Sequence, residues 1–172
     1  MAWIQPTGAK RATMPRHAAA VATFQPNSTG RLSLHAIRLR AGDVINSITF
    51  MAGATAGAVL THAWFALYDA NRAKLAVTAD DTASSWTANT TKTLALTAPY
   101  TVPADGVYYL GIVVVGTTMP TLQGSSGPTA AAAAVAPITA GTSTGSLTTP
   151  ATAPTTAAAL TAVAGAPLAW VA

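Results

Sequence analysis

Two stretches of this chain are apolar on both of their alternating faces, and that narrows the folds open to it. In residues 63–68 one set is Trp64, Ala66 and Tyr68 and the other Phe65 and Leu67. In residues 107–115, Val107, Tyr109 and Val113 stand against Tyr108, Leu110, Ile112 and Val114. β-Branched and aromatic residues in such runs read as strand. A strand on the open side of a sandwich shows one polar face to water. These two need cover on both sides, from the rest of the chain or from a symmetric partner subunit.

The chain holds material for such cover. After Asp105 no charged side chain occurs up to Ala172, and this last third is mostly Ala, Thr, Gly, Pro and Ser. A free tail of that length is normally solvated by charge, so an uncharged one is expected to lie against the domain or a neighbour. Its prolines at 128, 137, 150, 154 and 167 exclude a long helix. Residues 123–172 therefore read as an irregular, partly extended run, closing with a strand at 167–172 that carries Leu168, Trp170 and Val171.

Ahead of it lie short strands separated by turn residues. Leu32, Leu34 and Ala36 alternate with Ser33 and His35, then the phase slips to Ile37 and Leu39. A bulge near residues 36–37 accounts for the slip and leaves His35, Arg38 and Arg40 outside. Residues 44–51 alternate after the turn Ala41-Gly42-Asp43, and 62–69 with 74–79 form a hairpin around Asn71. Residues 91–97 place Leu94 and Leu96 on one face, and 99–106 turn the chain into 107–115. Without a convincing helix, this is an all-β chain: a β-sandwich over residues 31–122, expected to be of jelly-roll type.

Residues 1–30 read as an extended basic arm broken by Pro6, Pro15 and Pro26. Six of the nine Lys and Arg residues fall in the first forty positions, before any acid. Spaced rather than clustered cations with few aromatics fit a tether on an acidic protein surface better than nucleic-acid binding. The docking candidates are Lys10, Arg11 and Arg16, with Trp3 and Phe24 as apolar anchors. No secretory signal is read here, and residues 48–67, with the weak match Gly53-Ala-Thr-Ala-Gly57, read as strands around a small-residue loop rather than a membrane span.

Chemistry is thinly represented. Cysteine and glutamate are absent, leaving Asp43, Asp69, Asp80, Asp81 and Asp105, all at turns or in loops. Gly141-Thr-Ser143-Thr-Gly145 matches a nucleophile elbow, but no Asp or His follows it. Asp69-Ala-Asn71 is followed by Arg72 and Lys74 rather than by a calcium loop, and His17, His35 and His62 lack metal-ligand spacing. No catalytic residue, cofactor or metal is expected. Trp86, on a polar connection, is the one aromatic read as exposed; with Asp80, Asp81 and Asn89 it forms an alternative glycan-binding site.

The runs His62-Ala-Trp-Phe-Ala-Leu-Tyr-Asp69, Lys74-Leu-Ala-Val-Thr-Ala-Asp80, Trp86-Thr-Ala-Asn89, Thr93-Leu-Ala-Leu-Thr-Ala-Pro-Tyr100 and Val102-Pro-Ala-Asp-Gly-Val-Tyr-Tyr-Leu-Gly111 resemble β-sandwich virion proteins of tailed phages that infect actinobacteria. The resemblance covers residues 31–122, and weakly the tail ending Gly165-Ala-Pro-Leu-Ala-Trp170. It implies a non-enzymatic structural protein of the virion, assembled in the bacterial host cytoplasm. A capsid decoration protein binding the outer shell is expected first, with a carbohydrate-binding tail or fibre component as the alternative. The implied partners are the major capsid protein or other virion proteins, and further copies of the chain, on analogy a trimer, with neither nucleic acid nor membrane.

Overall fold

A computed structural model describes residues 11–15, 22–24, 29–82, 85–125, 131 and 134–172. The chain is all-β, built as two packed antiparallel sheets with a small third one at the side. The strands are β1 (Arg11–Ala12), β2 (Ala22–Phe24), β3 (Ser33–Leu39), β4 (Val44–Met51), β5 (Ala58–Tyr68), β6 (Lys74–Val77) and β7 (Thr91–Thr101). They are followed by β8 (Gly106–Thr118), β9 (Leu122–Ser125), β10 (Ala140–Ser143), β11 (Leu160–Ala162), β12 (Ala166–Pro167) and β13 (Ala169–Val171). The larger sheet runs β11-β10-β3-β8-β5-β6, the sheet facing it β1-β13-β4-β7, and the third β12-β9-β2.

β5 and β8 lie side by side inside the larger sheet, paired from Ala58↔Thr118 to Tyr68↔Tyr109. Each of their faces has its own core. On the inner face Phe65, Leu67, Tyr108, Leu110, Ile112 and Val114 pack against Ile48, Phe50, Leu96, Ala169 and Val171 of the opposite sheet. On the outer face Trp64, Ala66, Tyr68, Tyr109 and Val113 meet Leu32, Leu34, Ala153 and Ala157, with Leu147 and Leu160 alongside. The cover on that side therefore comes from residues 147–160 of the same chain.

Hydrogen bonds hold this cover where packing alone would leave carbonyls unpaired. Trp64 Nε1 donates to Pro150 O at 2.6 Å and Tyr68 Oη to Pro154 O at 3.3 Å. Lys74 Nζ donates to Ala153 O at 2.8 Å and Arg72 to Ala158 O at 3.0 Å. The uncharged segment is thus fastened by donors from the charged half of the chain. Gly111 makes the fit possible: a Cβ there would stand 2.8 Å from the Tyr68 ring and 3.1 Å from Leu34.

The phase slip in β3 has a different origin from the expected bulge. Its register with β8 is unbroken from Ser33↔Ile112 to Leu39↔Gly106. Both faces are covered, so Leu32, Leu34 and Ala36 serve the outer core while Ile37 and Leu39 serve the inner one. His35, read as an outer residue, shares the inner face and is buried with its ring 6.3 Å from Phe50.

β7 also differs. It continues through Pro99 to Thr101, where a turn is expected from the proline. The strand lies at the edge of its sheet, where a missing N–H leaves no ladder bond unmade, and its pairing with β4 shifts register between Ile45 and Ser47. Beside the shift, Thr78 bridges Leu96 and Thr97 Oγ1 donates to Val77 O, which links β7 to β6 and joins the two main sheets.

Candidate functional site

Of the residues expected to dock the arm, Trp3, Lys10 and Arg16 lie outside the described residues. Arg11 and Phe24 are backbone members of the sheets. Arg11 begins β1 and pairs with Val171; Phe24 ends β2 and pairs with Leu122. Thr13 then clamps the C-terminal strand: its N–H donates to Ala169 O at 2.9 Å and its hydroxyl to Pro167 O at 2.7 Å. The same hydroxyl accepts from Ala169 N at 3.0 Å. Arg11 Nε donates to Asp43 Oδ2 at 3.1 Å, and that oxygen also accepts from Arg40 N at 3.0 Å.

Two depressions that share Arg11 and Arg38 in their linings open beside this segment, next to β3 and the start of β8. The first, about 530 Å³, is lined by residues 11–15, Ala36, Ile37, Arg38, Val107, Pro137, Thr139 and Ala166. The second, about 340 Å³, is lined by Arg11, Arg38, Leu39, Arg40, Asp105 and Gly106. Arg11 and Arg38 border both. Arg38 lies in β3 and Arg40 just beyond its end; both are exposed and both line the smaller depression. The i, i+2 spacing was the available signal for this pair; its meeting with Arg11 depends on the far end of the chain, because β1 is placed by β13.

The alternative glycan site does not assemble. Trp86, expected to be exposed, is 1% exposed and belongs to the inner core, 6.0 Å from the Phe65 ring. Its backbone bridges Gly57, and Lys92 Nζ stands 6.0 Å from its indole. The polar residues around it bind the loop to the sandwich. Asp80 Oδ2 pairs with His62 Nδ1 at 2.5 Å while its other oxygen accepts from Ala63 N at 3.0 Å. Asp81 Oδ2 meets Lys92 Nζ at 2.7 Å. Asn89 sits at φ 57, a left-handed position that Asn tolerates, and its N–H donates to Gly53 O. A lone Trp among polar residues reads the same in sequence whether it stands out or plugs the end of a core.

The two remaining acids are likewise engaged: Asp69 Oδ1 accepts from Ala73 N and Asp105 Oδ1 from Ala41 N, each at 2.8 Å. All five carboxylates of the chain thus shape its own turns and ion pairs. Among the described residues no group of three His or Asp side chains is placed to hold a metal ion. Burial lowers the His35 pKa to about 3 and raises that of Tyr68. Burial also raises the phenols of Tyr100, helped by Tyr108 and Asp69, and of Tyr109, opposed by Arg72. These shifts hold His35 neutral and the tyrosines protonated near pH 7. Comparison with protein-family models and with curated proteins finds no match for this chain.

Proposed function

We propose that this chain is a non-enzymatic structural protein of a tailed-phage virion, bound to the outside of the shell as a decoration protein. One observation carries the binding part of the reading: every carboxylate is engaged within the fold, while Arg38 and Arg40 face solvent beside an open groove. Exposed guanidiniums that hold no carboxylate of their own are suited to contact with an acidic partner. The phage assignment rests on the phrase resemblance of residues 31–122, and the all-β sandwich is compatible with it. Decoration needs no turnover. Repeated contacts across symmetric copies stabilise an assembly by mass action.

The partners in this reading are the major capsid protein and further copies of the chain, within a virion assembled in the host cytoplasm. The test is to purify the particle containing the chain and count copies by quantitative mass spectrometry. Hundreds of copies per particle are expected for decoration. A few to a few dozen would move the protein to the tail or fibre, and absence from particles would end the virion reading.

A further inference from the structure

The proposed docking leaves open what kind of surface is recognised, and the paired grooves carry an answer. Their shared border is basic: Arg11 and Arg38 line both, and Arg40 lines the smaller one. Arg11 is tied to Asp43, whereas Arg38 and Arg40 form no ion pair among the described residues. Beyond the arginines the larger groove is floored by small and apolar groups, including Ala36, Ile37, Met14 and Val107. One wall is the extended segment of residues 11–15, which includes β1.

We infer that these grooves receive an extended acidic segment of a neighbouring protein. Its carboxylates would meet the Arg38 and Arg40 guanidiniums and its small apolar side chains would occupy the floor. Bidentate geometry suits guanidinium to carboxylate. The lining argues against single-stranded nucleic acid, because it includes no aromatic platform on which bases could stack. This inference rests on the docking reading above and names the chemistry of its partner.

The probe is a fluorescent twelve-residue peptide alternating aspartate with alanine and leucine, titrated into the full chain and followed by polarisation. A lysine version of the same peptide and a single-stranded oligonucleotide of equal charge serve as competitors. The acidic peptide should bind, weaken as salt rises, and resist both competitors. Arg38→Gln and Arg40→Gln each lie at exposed positions and should lower affinity by about two- to fivefold, the double variant by about tenfold. The double reversal Arg38→Glu/Arg40→Glu should bind the lysine peptide instead. Equal affinity in the double Gln variant, or displacement of the peptide by the oligonucleotide, would overturn the inference. Counting wild-type copies on particles separates this from the larger reading: protein present on particles with an unselective groove removes only the acidic-segment proposal.

Discussion

Acidification should destabilise this protein through one residue, His35. The imidazole lies in the inner core at 2% exposure, beside Phe50 and opposite Leu110 on β8. Burial disfavours the charged ring and lowers its pKa from 6.5 to about 3. In the unfolded chain the same ring titrates near 6.5. Between these values the unfolded state binds the proton more readily, so stability is full above about pH 6.5 and falls as pH drops towards 3. From pH 7 to pH 5 the loss is about 2 kcal/mol, at roughly 1.4 kcal/mol for each unit between the two pKa values. That corresponds to about 4–8 °C in Tm for a chain of this size.

The assay is urea unfolding at pH 7 and pH 5 for the wild type and His35→Leu. His17 and His62 are common to both chains, so the difference between the two pH dependences reports position 35. The wild type should lose about 2 kcal/mol more than the variant over this interval. An NMR titration should find the His35 ring neutral throughout the same range. Equal losses in the two proteins, or a ring that charges near pH 6 without unfolding, would refute the assignment of His35 to the buried inner face.

Three further outcomes follow from the packing. Trp86→Ala should remove about 3–5 kcal/mol of stability because it empties the end of the inner core, whereas a surface platform would leave the melting curve nearly unchanged. Gly111→Ala should lower stability by about 1–3 kcal/mol, since the new methyl meets the Tyr68 ring held over it, and near-UV circular dichroism should register the displaced tyrosine. Asp43→Asn should release the Arg11 ion pair and weaken the cap on Arg40 N, at about 1 kcal/mol. Amide exchange should then rise at Arg11–Thr13 before it rises in β5 or β8.

The central strands were legible because their residues carry the information locally. Apolar and aromatic residues on both faces of residues 63–68 and 107–115 demand a two-sided environment, and β5 and β8 have one. The hairpin at Asn71 was readable from its turn residues for the same reason. His35 and Trp86 were misplaced because side-chain polarity is a poor guide where a chain closes on itself from far away. A histidine on a strand looks solvent-facing until the opposite sheet covers it, and the Trp86 loop looks like a polar connection until Asp80 and Asp81 latch it down. The basic cleft was half-visible. Arg38 and Arg40 lie close together in the sequence, but Arg11 joins them only through the pairing of β1 with β13.

That last pairing has a consequence for how the chain reaches its native state. β13 lies between β1 and β4, so the sheet facing the larger one cannot be completed until residue 171 has been synthesised. The outer cover of β5 and β8 arrives almost as late, with residues 147–160. Contacts spanning most of the sequence impose a large loop-closure entropy and a low folding rate. During that interval the two most apolar strands are assembled but uncovered on one side, when self-association competes with closure. The late segment should therefore act within the chain as its own chaperone: supplied in trans, a peptide of residues 123–172 should suppress aggregation of a chain truncated before it.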